Sequence, residues 1–232
     1  MPGMAALRTA RAPVASTTAA RASTISGLTS VATAVGILAL AILPLLTPFF
    51  VHAGLDAASS EQYLRLDRAS TAALSDRTVS ELVFGPGTFA FPGPDGAPFY
   101  SAAEAAHLRD ARVLLIGFLA LGVLSLAFVG VSLLRGRRWN AVARGAAGLA
   151  VATVVIGVVG FFAFEPVFEL FHQIFFPGGN WAFDNATSHM VQLYPYAFWE
   201  LAAAGLGAFA IGIAVAVWLF ARSRGRTSGT PA

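Results

Sequence analysis

Residues 111–134 read ARVLLIGFLALGVLSLAFVGVSLL, a stretch whose only charge, Arg112, lies at its edge and which is closed by Arg135-Gly136-Arg137-Arg138. A bilayer core of ~30 Å needs roughly 20 helical residues to cross it. Inside hydrocarbon every backbone polar group must be satisfied within the segment, so a run of this length and composition has to be helical. Upstream, Ser101-Ala102-Ala103-Glu104 has the spacing of a capping box, with Ser at the N-cap and Glu three residues on. No breaker follows until Arg135-Gly136. The reading is one helix of about 33 residues, or ~50 Å, that starts about two turns outside the bilayer.

Three further segments qualify as spans: 29–51, 143–164 and 198–221. Pro44 and Pro48 predict a kink near the end of the first. The composition agrees, with 56% hydrophobic and 12% charged residues, far from the quarter charged of a soluble domain. The fold class read from these features is an all-α membrane protein: four transmembrane helices with two structured extracytoplasmic loops. Residues 1–28, rich in Ala, Ser, Thr and Arg, read as a disordered cytoplasmic tail, 29–221 as the four-helix transmembrane domain, and 222–232 as a second cytoplasmic tail. A competing reading takes residues 1–53 as a signal peptide ending near Val51-His52-Ala53. The apolar run is longer than the 7–15 residues usual for such a segment, which favours an uncleaved span.

Charge sets the orientation. Arg8, Arg11 and Arg21, then Arg135, Arg137, Arg138 and Arg144, then Arg222, Arg224 and Arg226 all flank one side of the spans, and none of the twelve carboxylates does. The positive-inside rule assigns that side, and both termini, to the cytoplasm, and leaves loops 52–110 and 165–197 outside. The net charge of +3 is thereby explained by topology, and no nucleic-acid partner is implied. No Cys is present, which excludes disulfides, thiolate metal sites and a Cys nucleophile.

The first outer loop is too long for a connector. Ser59 and Gln62 have capping spacing, and residues 61–75 are predicted as a short interfacial helix. Phe84, Phe89, Phe91, Phe99 and Tyr100 read as aromatic anchors at headgroup level. In the second loop a helix is expected to begin near Pro166, with Glu165, Glu169 and His172 on one stripe and Phe168, Phe171 and Phe175 on another, as in a segment lying in the interface. Asp184 or Ser188 is placed to cap another short helix.

All four histidines, 52, 107, 172 and 189, fall in the outer regions. His52 and His189 read as ordinary surface residues. His107 has Glu104 and Asp110 one turn away, and His172 has Glu169. A carboxylate on one ring nitrogen fixes the tautomer and raises the basicity of the other, the arrangement used in acid–base catalysis. Such spacing also arises by accident on helices. Two His with acidic neighbours suit zinc as well, but no His-Glu-x-x-His run occurs, and neither metal nor cofactor is expected. Phosphate-binding, dinucleotide and nucleophile-elbow motifs are absent. So are ionisable residues at mid-bilayer, which disfavours a transporter or channel.

Phe171-His172-Gln173-Ile174-Phe175-Phe176, Gly179-Asn180-Trp181-Ala182-Phe183-Asp184 and Leu193-Tyr194-Pro195-Tyr196-Ala197-Phe198-Trp199, together with His107-Leu108-Arg109-Asp110, resemble the bacterial four-span membrane family that includes the lipoprotein intramolecular transacylase. The resemblance implies an acyltransferase acting on a diacylated lipoprotein at the outer face of the membrane. It would move the sn-2 acyl chain of the diacylglyceryl-cysteine onto that residue's own α-amine. His172 and His107 match the family's histidines. They are expected to share the roles of base and electrophilic partner, in either order, oriented by Glu169 or Asp184 and by Asp110 or Glu104. Asn180, Trp181 and Tyr194 would shape the pocket or donate to the oxyanion. The alternative is a non-catalytic membrane protein whose outer loops bind a lipid or a partner. In that case the two histidines should lie far apart.

Overall fold

The computed structural model describes residues 14–227. Regular structure among the described residues is helical, apart from an isolated bridge between Pro92 and Pro98. Four helical segments are long and apolar enough to cross a membrane: Ala20–Leu46, Ala102–Gly136, Trp139–Phe162 and Tyr196–Arg226. The chain is a multi-pass membrane protein.

The first span differs from expectation at both ends. Helix α1 covers Val14–Ile42, so residues 14–28 are helical where a disordered tail was expected; the rest of that expected tail, residues 1–13, lies outside the described residues. The physical reason is cooperativity: a nucleated span extends readily through an Ala-rich stretch, at one added hydrogen bond per residue. At the other end α1 tightens into a 3₁₀ turn, Leu43–Leu46, with Pro44 in its first turn. Thr47 is then extended, as a residue before proline prefers, and its side chain accepts from the Phe50 amide at the start of helix α2, Pro48–Ala57. Residues 48–51 thus belong to a separate helix.

Helix α1 is the axle of the bundle. It packs against α5 (Ala102–Gly136), α6 (Trp139–Phe162) and α9 (Tyr196–Thr227), and α6 and α9 pack along each other. Small residues make these approaches possible. A Cβ on Gly122 would overlap that of Ala39, and one on Gly145 would overlap the Ser30 backbone carbonyl. At this second crossing Ser30 Oγ donates to the Ala141 carbonyl at 2.8 Å. The hydroxyls of buried Thr29 and Thr33 are spent on carbonyls one turn back, each at 2.7 Å.

Packing is uneven along the bundle. Toward the arginine end α6 buries Ala141, Val142, Ala143, Gly145 and Ala146, and α5 buries Ser125 and Ser132. Toward the opposite end, which carries His107 and His172, no residue of α5 between 109 and 121 is buried, and none of α6 between 147 and 162.

Above the histidine end sits a compact cap. Expected helix 61–75 is in fact two: α3, Ser60–Leu64, and α4, Arg68–Val83, divided by Arg65 in the left-handed region. Ser59 makes no capping bond; Asp67 caps α4 instead, accepting from Ser70 N. The aromatic residues expected as interfacial anchors form a core. Phe89, Phe99 and Tyr100 are buried with Val51, Leu55, Leu74, Leu108, Leu193, Tyr194 and Phe198, while Phe84 is 86% exposed. Two buried hydroxyl pairs cross this core, Ser75 with Tyr194 and Thr78 with Tyr100, each at 2.8 Å. The second outer region supplies α7, Phe164–Phe175, and α8, His189–Leu193, the latter capped by Ser188.

Replacing Gly145 by Ala should lower the thermal midpoint of the detergent-solubilised protein, since the blocking atom is backbone. Gly148→Ala, where a Cβ meets nothing within 4 Å, should leave it unchanged or slightly raised, because Ala is the better helix former. Equal melting curves for the two variants would contradict the α1–α6 crossing.

Candidate functional site

The site begins with the capping box of α5. Ser101 Oγ accepts from Glu104 N, and Glu104 Oε2 accepts from Ser101 N at 2.7 Å. Glu104 is 3% exposed, and its second oxygen accepts from Ser188 Oγ at 2.6 Å and Met190 N at 2.9 Å. One buried carboxylate therefore ties the start of α5 to the start of α8. A buried charge is tolerable only when hydrogen-bonded in this way.

One turn further along α5, His107 is buried and faces α7. Helix α7 leaves α6 after the single residue Ala163. It is amphipathic: Leu170, Phe171, Ile174 and Phe175 are exposed, and His172 is buried. The imidazoles of His107 and His172 lie 5.9 Å apart between centroids with 26° between their planes. Phe176 packs on both, at 4.6 Å from His107 and 5.5 Å from His172. Phe183 closes the far side of His107, and Trp181 lies 5.0 Å from His172.

His172 Nδ1 is 2.8 Å from the Phe168 carbonyl. A carbonyl can only accept, so Nδ1 carries the proton and Nε2 the lone pair. Burial holds His172 below the ordinary imidazole range, opposed by the hydrogen bond to Phe168, so the ring is neutral near pH 7. His107 Nδ1 is buried without a hydrogen-bond partner. Leaving such a nitrogen unpaired costs roughly 1–3 kcal/mol, a cost often retained at functional sites. Burial, and after it the neighbouring His172, hold His107 below the ordinary imidazole range, opposed by Asp110 and Asn180. Asn180 Nδ2 donates to Asp110 Oδ2 at 2.7 Å and also interacts with His107.

The structure thus gathers His107, His172, Asp110, Asn180 and Trp181. Four expected supporting residues serve elsewhere. Glu104 is committed to Ser101, Ser188 and Met190. Glu169 is exposed and acts electrostatically on Tyr196, and the Phe168 carbonyl holds His172 instead. Asp184 accepts from Ala186 N and from the amides of Thr187 and Ser188, shaping the turn before α8. The Tyr194 hydroxyl is bound to Ser75 in the cap core, and burial pushes it up to about 12. Sequence reading missed Phe176 and Phe183, and it missed the backbone acceptor. The acceptor follows from helical geometry, since residue 168 lies one turn before 172; the rings depend on tertiary packing.

Among the described residues no group of three or more His, Cys, Asp or Glu is arranged to hold a metal ion. What remains is a pair of imidazoles, one neutral and tautomerically fixed, the other beside an aspartate, in an aromatic setting at the end of an apolar bundle. Such a pair can take a proton at one nitrogen and supply one at another. Their closeness is opposite to what a non-catalytic binding protein would require.

A family model described as lipoprotein intramolecular transacylase Lit matches residues 61–199. Among solved structures, the membrane integral lipoprotein intramolecular transacylase Lit from Bacillus cereus is similar, at 16% identity and a TM-score of 0.75, covering 90% of this chain and 98% of that one. Two variants of that Bacillus cereus protein, with one histidine changed to arginine or to alanine, match at 17% identity and TM-scores of 0.73 and 0.74. They cover 92% and 93% of this chain, and 96% and 99% of their own. No curated protein matches significantly.

NMR titration of ¹⁵N-labelled His172 should give a pKa below ~6.5, the unperturbed imidazole value. At neutral pH its shifts should be those of the Nδ1-protonated tautomer. An Nε2-protonated ring would overturn the assignment of its free lone pair.

Proposed function

Because this chain belongs to the lipoprotein intramolecular transacylase Lit family, we propose that it converts diacylglyceryl-cysteine lipoproteins to their lyso-form by moving the sn-2 acyl chain onto the cysteine α-amine. The observation that carries the reading is the contact of His107 with His172 across α5 and α7. The arginines at the opposite end of the bundle support a cytoplasmic location for both termini and an extracytoplasmic one for the histidines.

The reaction is an isomerisation and balances without a co-reactant. The α-amine nitrogen forms a bond to the sn-2 acyl carbon, the ester C–O bond breaks, and one proton passes from nitrogen to the glyceryl oxygen. Nucleophile and electrophile belong to one molecule, so holding them in register supplies a large share of the advantage. His172 Nε2 takes the proton from the attacking amine. His107, held neutral by burial and by His172 against the pull of Asp110, donates a hydrogen bond to the oxyanion, and the proton gained by His172 passes to the leaving oxygen. Burial and their mutual closeness both disfavour a charge on the pair, so it rests neutral and carries one proton only while the amine's proton is in transit. Asn180 holds Asp110 in place, and Trp181 and Phe176 keep water from the tetrahedral intermediate.

The test is incubation of the purified protein with a synthetic diacylated lipopeptide in vesicles, followed by fragmentation mass spectrometry. The expected product has unchanged mass, with one acyl group on the amine. His107→Ala and His172→Ala should each lower turnover by about 10²-fold or more without loss of membrane insertion. Full activity in both variants would refute the acid and base roles of the two histidines.

The pH dependence has a definite sign. Activity needs neutral His172, whose titration burial lowers. The rate should therefore stay high as pH falls to ~6.5 and decline only below it. A rate that falls off well above that value would mean the limiting base is another group.

A further inference from the structure

The uneven packing of the bundle has a definite shape. Helices α5 and α6 are joined by a tight turn at Arg137–Arg138, and near it Val129 and Leu133 of α5 pack against the cluster of Val142, Ala143 and Ala221. Among the spans α5 packs chiefly on α1, and α6 on α1 and α9. No residue is buried on α5 between 109 and 121 or on α6 between 147 and 162. The two helices thus form a V that opens toward the histidines. Helix α7 bars its wide end, running from the top of α6 at Phe164 to the contact of His172 with His107 on α5. From Phe164 to His172 is ~12 Å of helix at 1.5 Å per residue, already more than the 8–10 Å between packed helix axes.

The floor of this V is α1. Gly36 and Ala39 face α5 at Leu126 and Gly122, while Ile37 and Ser30 face α6 at Ala146 and Ala141. At 100° per residue, Thr29, Thr33 and Leu40 point between those two directions. Thr29 and Thr33, near the closed end, are buried; Leu40, near the open end, is 37% exposed. On α5, Leu114, Phe118 and Leu121 continue the stripe of His107 at 100° per residue, Leu121 exposed and the other two half-buried, and on α6 Val155, Val158 and Val159 are exposed. Residues 111–121 of α5 span ~15 Å, about half of a ~30 Å hydrocarbon core, the depth of one leaflet.

The geometry points to a lateral portal between α5 and α6, through which the sn-2 acyl chain of a diacylated lipid substrate enters from the leaflet at the histidine end. Its occupant is an acyl chain because the slot is apolar, lies at leaflet depth and ends under the imidazole pair. The chain lies on Leu40, and its ester carbonyl comes to rest against the imidazole pair beneath α7. This inference rests on the transacylase reading for its substrate, but its binding test does not.

A diacylated lipopeptide carrying a diazirine in its sn-2 acyl chain, photolysed with the protein in phospholipid vesicles, gives the first measurement. Crosslinks should concentrate at residue 40 and within 109–121 and 151–162, and excess unlabelled lipopeptide should suppress them. Crosslinks spread equally over lipid-facing positions such as Val31, Leu201 and Leu219 would overturn the portal. Leu40→Trp, which fills the floor, should cut transfer of a palmitoyl chain about tenfold and spare a butyryl chain, an effect confined to productive binding. Val31→Trp, nine residues away and so on the opposite face of α1, should leave both unchanged. Suppressible portal crosslinks with no transfer by the parent chain would sink the transacylase reading and leave the portal standing. Transfer intact in both variants, with scattered crosslinks, would do the reverse.

Discussion

The arrangement at the histidine end depends on one constraint: α7 must leave α6 after a single residue, Ala163, and reach across to α5. Ala163 has φ −144 and ψ 47, which breaks the helix and redirects it. The Ala163 amide still bonds back to Val159, and that of Val167 to the Ala163 carbonyl, so little backbone polarity is lost at the bend. Amphipathicity decides the rest. With Leu170, Phe171, Ile174 and Phe175 on one side and His172 on the other, α7 can satisfy lipid only by turning its histidine inward, against His107.

The cap supplies the opposing rigidity. Its core resembles that of a small soluble domain, and the buried carboxylate of Glu104 fastens it to α5 and α8 at once. Each partner left unsatisfied by loss of that carboxylate would cost roughly 1–3 kcal/mol. His107 is one turn from this fastening, so its ring is positioned by the same residue that holds the cap together. Rings on three sides, Phe176, Phe183 and His172, complete the restraint.

The membrane class, the spans from 102 onward and the α5 capping box were legible because each rests on local chemistry: run length, absence of charge, and a Ser–Glu spacing. The early end of the first span was legible only as a kink, since Pro44 and Pro48 announce a break without saying where the following helix packs. The cap aromatics were misread as interfacial anchors because an aromatic-rich loop and a folded aromatic core have the same composition. For the site, the two histidines stood out by type and position, and of their expected supporting residues Asp110, Asn180 and Trp181 lie beside them. Glu104, Glu169 and Asp184 have the right spacing to assist a histidine, yet Glu104 and Asp184 turn to backbone amides and Glu169 is exposed. Spacing along a helix names the candidates, and the competition among nearby donors chooses between them.

The Ala163 junction has a mechanical consequence. Helix α6 lies in hydrocarbon, whereas α5 is braced by the cap, so a thicker or thinner bilayer would shift one support of α7 relative to the other. A hydrophobic span answers mismatch by tilting, and tilt of α6 would swing α7 about its bend and change how His172 meets His107. Such a swing would make the separation of the two imidazoles depend on the hydrophobic thickness of the host membrane.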